Sequence, residues 1–482
     1  MTSFDLPKDY YGKLFIKIVE ARNTLALDIT GTSDPYCLIT LLQAGQEYDK
    51  SKASTTDIYR TETIYKTLNP QWHSEEYVFD VLKCSSSIFI EIWDEDKLSK
   101  DDRMGQLSIN IDEYRGKGMK DVWLPIQGKK ASKKLKNRGD IRLQILFQSY
   151  ETFIQLLNHE QNIIPKSISK TIISDEFTKS LLYTLSTQSS ILSVISDILT
   201  LEINSTIDPN VLFRTDSLAT KLTVTFFKLI GFTYLKDTLQ KHILNIIINN
   251  ITFEVDPSKG VSDAEVEANF GIFLHHCQIF LDAITVSGLQ FPDPLRFICN
   301  HIYNCVEAKF PLENNNVKSV GGFIFLRFIN PALFSPDSLK LIANPPNNET
   351  RRSLTLITKI LQNISNQVIF SSKEKFLERS NSFISGKAEE VGNFLIEVSK
   401  PPTKDCRKLK FDSIKCETPK LIKYFDTIIT SIEEKHQLVL DNMQNHTTDQ
   451  DFITSFTNEV KCISSLIKKQ QAQSLKNIGY TT

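Results

Sequence analysis

The chain has 482 residues, a formal net charge of −1 and 41% hydrophobic residues. This composition is typical of a soluble globular protein, and the balanced charge argues against a general nucleic-acid binder. Eight cysteines without a CxxC pair indicate reduced thiols rather than a disulfide framework. Because the N-terminus has no apolar signal-like region and no 18-residue apolar run occurs, we expect a cytoplasmic protein with at most peripheral membrane contact.

Short β-type segments fill residues 10–147. They are rich in Ile, Val, Phe and Tyr, many alternate with polar residues, and Gly, Pro, Asn, Asp or Ser separate them. They read KLFIKIVEA (13–21), DPYCLITLL (34–42), EYVFDV (76–81), SIFIEIWDED (87–96) and DIRLQILFQ (140–148). Several such strands at close spacing predict an antiparallel β-sandwich, which we place at residues 1–148.

The period of the apolar residues changes at about residue 151. Between 216 and 249 they recur mostly three or four apart, at Leu218, Leu222, Phe226, Leu229, Ile230, Leu239 and Ile243. This spacing predicts helices, and similar runs continue to about residue 440. We therefore predict an all-helical domain at 149–440, followed at 441–482 by a C-terminal polar helix or a disordered tail.

Five aspartates stand in two predicted loops of the β-rich half, at Asp28, Asp34, Asp94, Asp96 and Asp102. Calcium takes six to eight oxygen ligands, and clustered carboxylates supply them. Such a cluster without a cation repels itself, so binding Ca²⁺ relieves the repulsion and makes the loop tips more positive. The alternative is a pair of solvated acidic loops, because Asp is common in turns.

The strings DITGTSDPY, KTLNPQW and IWDEDKLSKDDRMG resemble the calcium-dependent C2 domain, a β-sandwich of this size. The resemblance implies that the five aspartates are Ca²⁺ ligands, with six-residue steps from 28 to 34 and from 96 to 102. It also implies calcium-dependent binding to an anionic phospholipid surface. The basic stretch KKASKKLKNR (129–138) either helps to hold anionic lipid or forms a solvated loop.

The segment VLFRTDSLATK (211–221) places Arg214 between an apolar triplet and residue types that begin helices. An arginine at such a junction has three interpretations: a surface charge, an anion site, or a group offered to the active site of a partner. A rigid guanidinium suits the last role, because it is planar, permanently charged and a multiple donor.

A second arginine, Arg327, lies in GGFIFLRFINPALFSP (321–336), which is apolar on nearly all sides and predicts a buried helix. A buried guanidinium needs hydrogen bonds or an ion pair. Pro331 disfavours helical geometry at Asn330, so we expect the helix to end there. Arg327 then either caps its own helix end or reaches the carbonyls of another loop and stiffens it.

LFRTDSLATK, followed about 110 residues later by FLRFINPA, resembles the Ras GTPase-activating protein family over roughly residues 160–440. In that family the arginine after LF is the arginine finger. The resemblance implies that Arg214 enters a bound Ras-like small GTPase in its GTP state, and that Arg327 braces the finger loop. It further implies that the GTPase is contacted or its site organised by Phe213, Leu326, Asn330, Lys359 and Asn366.

The stretch RRSLTLITKILQNISNQV predicts an amphipathic helix whose polar stripe contains Thr355, Lys359, Gln362 and Asn366. Any solvated helix face has this form. However, TKILQNISN also resembles the family's groove-lining stretch, which favours Lys359 as a partner contact. Lys221 matches a family position too, and surface support and partner contact both remain open for it.

These patterns together predict a GTPase activator, not itself an enzyme, that calcium recruits to anionic membranes, specifically the plasma membrane. No P-loop or GxGxxG occurs, so the chain is not expected to bind nucleotide by itself. One alternative is a scaffold that binds a Ras or Rap GTPase without accelerating hydrolysis. The other is a calcium-triggered lipid-binding protein whose helical half is only an interaction module.

Overall fold

The structure is a computed structural model that describes residues 12–28, 31–46, 58–96, 100–128, 138–186, 190–312, 314–406, 411, 414 and 416–479. Of the predicted basic stretch 129–138, all but Arg138 lies outside these ranges. The chain divides into two compact units. The first unit contains Met1–His159, Cys416–Leu440 and Thr447–Thr482, and the helical unit contains Glu160–Lys415 and Asp441–His446.

Eight strands form the sandwich of the first unit: β1 (Gly12–Arg22), β2 (Pro35–Leu42), β3 (Ile58–Arg60), β4 (Tyr77–Val81), β5 (Ser87–Asp94), β6 (Asp102–Asn110), β7 (Lys120–Pro125) and β8 (Asp140–Ser149). They pair antiparallel in two four-stranded sheets, with orders β4-β1-β8-β7 and β3-β2-β5-β6. Alternate residues of each strand face the core, for example Leu14, Ile16 and Ile18 of β1. The predicted antiparallel β-sandwich is confirmed.

The outer face of the β4-β1-β8-β7 sheet carries apolar residues as well, and helices of the same unit cover them. These helices are α1 (Glu151–Leu157), α14 (Thr418–Glu434) and α16 (Gln450–Gly479). Leu466 of α16 packs with Phe15 of β1 and Val78 of β4. Residues 416–440 and 447–482 thus fall in the first unit, whereas the predicted limits assigned them to the helical domain and to a separate tail.

A buried lysine links this sheet to the two C-terminal helices. Lys13 of β1 is fully buried, and its ammonium donates to Asp80 (2.7 Å), Asp426 of α14 (2.8 Å) and Gln470 of α16 (2.6 Å). An ammonium has three N–H donors, so all three are satisfied here. Burial raises the pKa of Asp426, while Lys13 and the hydroxyl of Tyr150 oppose that rise. The network therefore fixes helices from the far end of the sequence onto the first strand.

The helical unit is built from α2 (Ile163–Ile168), α3 (Asp175–Ser186), α4 (Ile191–Ser205), α5 (Leu218–Ile230), α6 (Phe232–Leu235), α7 (Lys241–Ile248), α8 (Asp263–Val286), α9 (Asp293–Lys309), α10 (Asn315–Ile324), α11 (Asn330–Phe334), α12 (Asn348–Asn366) and α13 (Asn381–Val398). The helix α15 (His436–Met443) follows α14. The stretches Asp263–Gln290 and Asn315–Phe334 are long and apolar enough to cross a membrane by length and composition alone. In the helical unit their apolar residues, such as Phe273 and Phe323, are part of the core. The predicted helical second half is confirmed.

The helix carrying Arg327 does not end at Asn330, so that prediction was wrong. A π-helical turn at Phe325–Ile329 follows α10, and α11 begins directly after it with Pro331 in its first turn. In a first turn the missing proline N–H removes no helical hydrogen bond, and the wider π turn accommodates the change in phase. Leu326 and Arg327 both belong to this turn.

Candidate functional site

The loop between α4 and α5, residues 206–217, is ordered by local hydrogen bonds at both ends. The Asp208 carboxylate accepts from the N–H of Asn210 (2.9 Å) and caps the short 3-10 turn Pro209–Val211. Ser217 Oγ accepts from the N–H of Thr220 (3.0 Å) and caps α5. These are the cap residues expected at helix starts. Arg214 therefore lies three residues before a defined helix end, as the sequence indicates.

Phe213 is held in an unusual backbone conformation. Its φ is 59°, a left-handed value that is costly for a bulky residue. The ring is 1% exposed and packs edge-to-face on Phe323 of α10 at 5.5 Å between centroids. A ring buried in this way is not available to a partner, so the prediction that Phe213 contacts the GTPase needs correction. Phe213 anchors the loop instead, and the left-handed turn directs the next residue away from the core.

Arg214 is exposed, and its backbone is fixed while its side chain projects outward. Its N–H donates to the carbonyl of Val211 (3.2 Å), and its own carbonyl accepts from Arg327 Nη2 (2.8 Å). Within the described ranges, the Arg214 guanidinium has no hydrogen bond or ion pair. Arg214 therefore carries a permanent positive charge at the surface, while hydrogen bonds fix its main chain.

Arg327 supplies that hold from the π turn. Its Nε donates to the carbonyl of Phe213 (2.9 Å) and its Nη2 to the carbonyl of Arg214, while Nη1 lies 3.4 Å from the carboxylate of Asp216. Of the two roles predicted for this guanidinium, the structure thus shows the reach across to another loop. The planar guanidinium fork reaches the two carbonyls and faces Asp216 with three different nitrogens, a geometry that the single nitrogen of a lysine does not reproduce.

A groove of about 360 Å³ opens beside Arg214. Its walls come from the α4–α5 loop, α10, the π turn and the end of α12: Pro209, Asn210, Leu212, Arg214, Asn315, Lys318, Ser319, Gly322, Leu326, Gln362, Asn366 and Val368. Leu326 and Val368 add exposed apolar surface, 38% and 53% exposed. Three of the predicted site residues, Arg214, Leu326 and Asn366, are brought together here.

The remaining predicted residues of the helical unit lie next to this groove or away from it. Asn330 is buried, and its amide donates to Gln362 (2.9 Å), whose own amide donates to Asn366 (3.1 Å). Asn330 therefore orients two groove residues from behind. Lys359 forms an ion pair with Glu374 and does not line the groove. The sequence predicts Gln362 only as part of the polar stripe of α12. Its spacing of four residues from Asn366 places both on one helix face, which is the signal that Gln362 also lines the groove.

Lys221 lies in α5, one turn into the helix. Its ammonium pairs with Asp175 (2.5 Å), and this hydrogen bond raises the pKa of Lys221. It lines a second cavity of about 580 Å³ together with Asp216, Lys228 and Arg327. The cavity lies behind the Arg327 guanidinium, so Lys221 neighbours the support of the α4–α5 loop and is absent from the lining of the groove.

Of the five predicted calcium ligands, Asp94 ends β5 and Asp102 begins β6, and Asp28, Asp34 and Asp96 lie in the loops. Asp94 accepts from the N–H of Asp34 (2.5 Å), and Asp34 accepts from the N–H of Lys66 (2.6 Å). Burial raises the pKa of Asp94; hydrogen bonds from Asp34 and Ser33 oppose this, and the charges of Asp28 and Asp96 add to it. Carboxylates that repel each other and offer only oxygen donors suit calcium chemically.

The described residues contain no group of three or more His, Cys, Asp or Glu side chains placed to hold a metal ion. Asp102 begins β6 opposite Asp94, and its side chain is exposed. Residues 29–30 and 97–99 of the same loops lie outside the described ranges. The calcium assignment for Asp28, Asp34, Asp94, Asp96 and Asp102 therefore stays a prediction.

Two family models match the chain. Residues 194–265 and 260–366 match RasGAP, described as "GTPase-activator protein for Ras-like GTPase", and residues 12–126 match the C2 domain. The first match contains Arg214 and Arg327, together with the groove between the α4–α5 loop and α12 except for Val368. The second contains all five aspartates of the sandwich loops.

Similar proteins carry corresponding names. The chain is 33% identical over 298 residues to a probable Ras GTPase-activating-like protein ngap of Dictyostelium discoideum, covering 59% of this chain and 34% of that protein. It is 27% identical over 414 residues to RasGAP-activating-like protein 1 of Mus musculus, covering 78% and 50% respectively. A solved C2 domain of plant Extended Synaptotagmin 1 aligns at 22% identity and a TM-score of 0.24, over 29% of this chain and 95% of that domain.

The chain thus spans between a third and a half of the length of these two relatives. The two family matches follow each other along the sequence, and each coincides with one of the folds described above. The protein accordingly carries a C2 domain followed by a helical domain of the RasGAP family.

Proposed function

We propose that this protein accelerates GTP hydrolysis on a Ras-like small GTPase by inserting Arg214 into the GTPase active site. One observation carries the proposal: Arg214 is exposed beside an open groove, while the carbonyls around it are held by Arg327. Because the main chain of Arg214 is already held, only its side chain has to be ordered when the GTPase binds. An arginine supplied in trans of this kind raises a GTPase rate by roughly 10³–10⁵-fold.

Each part of the loop has a separate task in this mechanism. The Arg214 guanidinium neutralises charge that develops on the γ-phosphate during transfer to water. The Arg214 carbonyl has two lone pairs; Arg327 occupies one, and the second remains to orient the glutamine of the GTPase that positions the water. Leu326, Gln362 and Asn366 form the surface on which the GTPase rests, and Lys359 adds a charge at its edge once released from Glu374. The chain performs no chemistry alone, so it is an activator rather than an enzyme.

The C2 domain has the second task, which is recruitment. We propose that Asp28, Asp34, Asp94, Asp96 and Asp102 bind Ca²⁺, and that the neutralised loops then meet anionic phospholipid at the plasma membrane. Support comes from the all-oxygen donor set and from the raised pKa of Asp94, which burial causes and the charges of Asp28 and Asp96 increase. A Ras-like GTPase on the same membrane is then encountered at a higher effective concentration.

Single-turnover GTP hydrolysis with a panel of Ras and Rap proteins tests the central proposal. Arg214→Ala is expected to lower the stimulated rate by about 10³-fold, with affinity for the GTP-analogue-bound GTPase within a few-fold of the original. Arg379→Ala is a matched control, because Arg379 is another exposed arginine of the helical unit, and its partners among the described residues are Glu267 and Phe270. Equal rates for Arg214→Ala and the unchanged protein would rule out the arginine finger and support the scaffold alternative.

A further inference from the structure

A carboxylate that contacts the end of the α4–α5 loop has no part in the function described so far. Glu202 belongs to the last turn of α4, and its side chain contacts the start of α5. It accepts a hydrogen bond from Ser217 Oγ through Oε2 and one from Thr220 Oγ1 (3.3 Å) through Oε1. The two donors follow Arg214 by three and six residues, whereas Glu202 precedes it by twelve.

These bonds connect the two ends of the loop. When Ser217 directs its hydroxyl proton to Glu202, its lone pairs face the N–H of Thr220, which is the capping bond that begins α5. The carboxylate therefore fixes both the rotamer of the cap residue and the position of the cap relative to α4. Since Arg214 is only three residues before this cap, any shift of the cap moves the guanidinium.

The end of α4 that carries Glu202 is itself held. The Lys309 ammonium at the end of α9 donates to the carbonyls of Ile203 (2.7 Å), Asn204 (2.6 Å) and Thr206. Carbonyls at a helix end have no partner within the helix, so a lysine there both satisfies and immobilises them. Glu202 thus acts from a fixed point, as Arg327 does from the π turn.

The electrostatics of Glu202 favour a geometric role over a stabilising one. Burial raises its pKa, opposed by the hydrogen bonds from Ser217 and Thr220 and by the charge of Arg327. No ion pair to Glu202 occurs in the part of the chain that the structure describes. An acid whose pKa is raised by folding favours the folded state below its unfolded pKa and loses that contribution as the pH rises through the folded value. At neutral pH the ionised group is therefore a cost to stability, which a neutral residue would avoid.

We propose that Glu202 is a positioning residue for Arg214: it ties the start of α5 to the end of α4, and so sets where the α4–α5 loop presents the guanidinium. The inference rests on the proposed function, because it concerns the same transfer reaction. Two residues of opposite charge then hold the loop: Arg327 donates to its carbonyls, and Glu202 accepts from the hydroxyl of Ser217.

Rates and affinities of Glu202 variants, measured with the Ras or Rap protein that responds best, test the proposal. Glu202→Leu removes both acceptors, and we expect the saturating single-turnover rate to fall about 10- to 100-fold, since a shift of about 1 Å can cost that much. Affinity for the GTPase loaded with a non-hydrolysable GTP analogue is expected to stay within about twofold, because the groove is unchanged. Glu202→Gln keeps one acceptor, so its rate should lie between those of Glu202→Leu and the unchanged protein. Its Tm should be no lower than that of the unchanged protein.

The Arg214→Ala background separates positioning from general damage. If Glu202 acts through Arg214, adding Glu202→Leu to Arg214→Ala lowers the remaining rate by less than about twofold, because no finger is left to misplace. A further tenfold loss in that background, or a rate loss matched by loss of GTPase affinity, overturns the inference. Asp197→Asn is the matched control, because Asp197 is a carboxylate of α4 that pairs with Lys166, away from the loop.

The outcomes also separate this inference from the proposed function. A full rate for Glu202→Leu beside a collapsed rate for Arg214→Ala removes Glu202 from the mechanism and leaves the finger in place. An unchanged rate for Arg214→Ala removes the finger, and the positioning role of Glu202 with it.

Discussion

The α4–α5 loop of the helical unit and the acidic loops of the sandwich both present charge at a surface, but they are supported in opposite ways. Around Arg214, groups of opposite polarity are already paired: the Arg327 guanidinium with carbonyls, and the Glu202 carboxylate with hydroxyls. In the acidic loops Asp94 has other carboxylates as neighbours. Burial is the main cause of its raised pKa, and the charges of Asp28 and Asp96 raise that pKa further. The comparison teaches that the first site is supported by contacts within its own fold, whereas at the second site burial and neighbouring charges disfavour the ionised form of Asp94.

Removing Arg327 would break the support of the first site, and its expected effect is second only to the loss of Arg214 itself. Arg327→Ala is expected to lower the stimulated rate about 100-fold, because Phe213 and Arg214 lose the donors to their carbonyls while the finger itself remains. Stopped-flow measurement of GTP hydrolysis at saturating activator reports this rate. Arg327→Lys should recover little, since a single nitrogen does not reproduce the separate Nε and Nη2 donors that hold the two carbonyls. A rate for Arg327→Ala within threefold of the original would show that the loop holds its shape without this brace.

Neutralising two aspartates of the acidic loops tests whether these loops bind calcium. In the double variant Asp94→Asn and Asp96→Asn, calcium affinity is expected to fall about tenfold or more, and with it the calcium-dependent sedimentation with phosphatidylserine vesicles. Without calcium, the same variant should unfold at an equal or higher temperature, because the raised pKa of Asp94 means that its ionised form is disfavoured by folding at neutral pH.

The control for that experiment is Asp121→Asn, which removes a carboxylate that pairs with Arg142 on β8 rather than one in the acidic loops. Calorimetric titration with calcium gives the calcium affinity, and thermal unfolding with and without calcium gives the unfolding temperatures. If sedimentation of the double variant still depends on calcium as in the unchanged protein, the ligand assignment is wrong.

Loosening the apolar anchor of the α4–α5 loop has the smallest expected effect. Phe213→Leu removes the edge-to-face contact with Phe323, worth about 1 kcal/mol, while the π turn still holds the carbonyl. The stimulated rate should fall only about three- to tenfold, because the loop has other supports. Phe270→Leu, which removes a similar contact to Phe273, should lower Tm by a comparable amount and leave the rate unchanged. Equal rate losses for both variants would mean that stability, not loop geometry, decides the rate.

The features that local patterns determine were predicted from the sequence. Alternation along Leu14, Ile16 and Ile18 gives the sandwich, and the cap residue Ser217 gives the position of Arg214 before a helix. The Arg327 contacts could be stated only as one of two alternatives, because its acceptors lie 113 and 114 residues away in the chain. Such pairings depend on packing rather than on any local rule.

The failures have the same origin. Phe213 was read as a partner contact because nothing in a loop pattern shows that its ring folds inward onto Phe323. Pro331 was read as a helix end because a π turn is set by tertiary packing. Glu202 was missed because its donors come from the next helix, 15 and 18 residues on. The C-terminal helix had a usable signal, since Phe456, Val460, Ile463 and Ile467 recur at helical spacing along one buried stripe.

The bonds of Lys13 have a consequence for biosynthesis. Its ammonium is satisfied only when Gln470, 457 residues later, has joined it, so β1 reaches its final contacts only after α16 has been synthesised. Contacts of such large sequence separation form slowly, and chains in which they are pending expose apolar surface. Until α16 is synthesised, Phe15 and Val78 lack the cover that Leu466 gives them, so this sheet face exposes apolar surface on the nascent chain and is a place where a chaperone could bind.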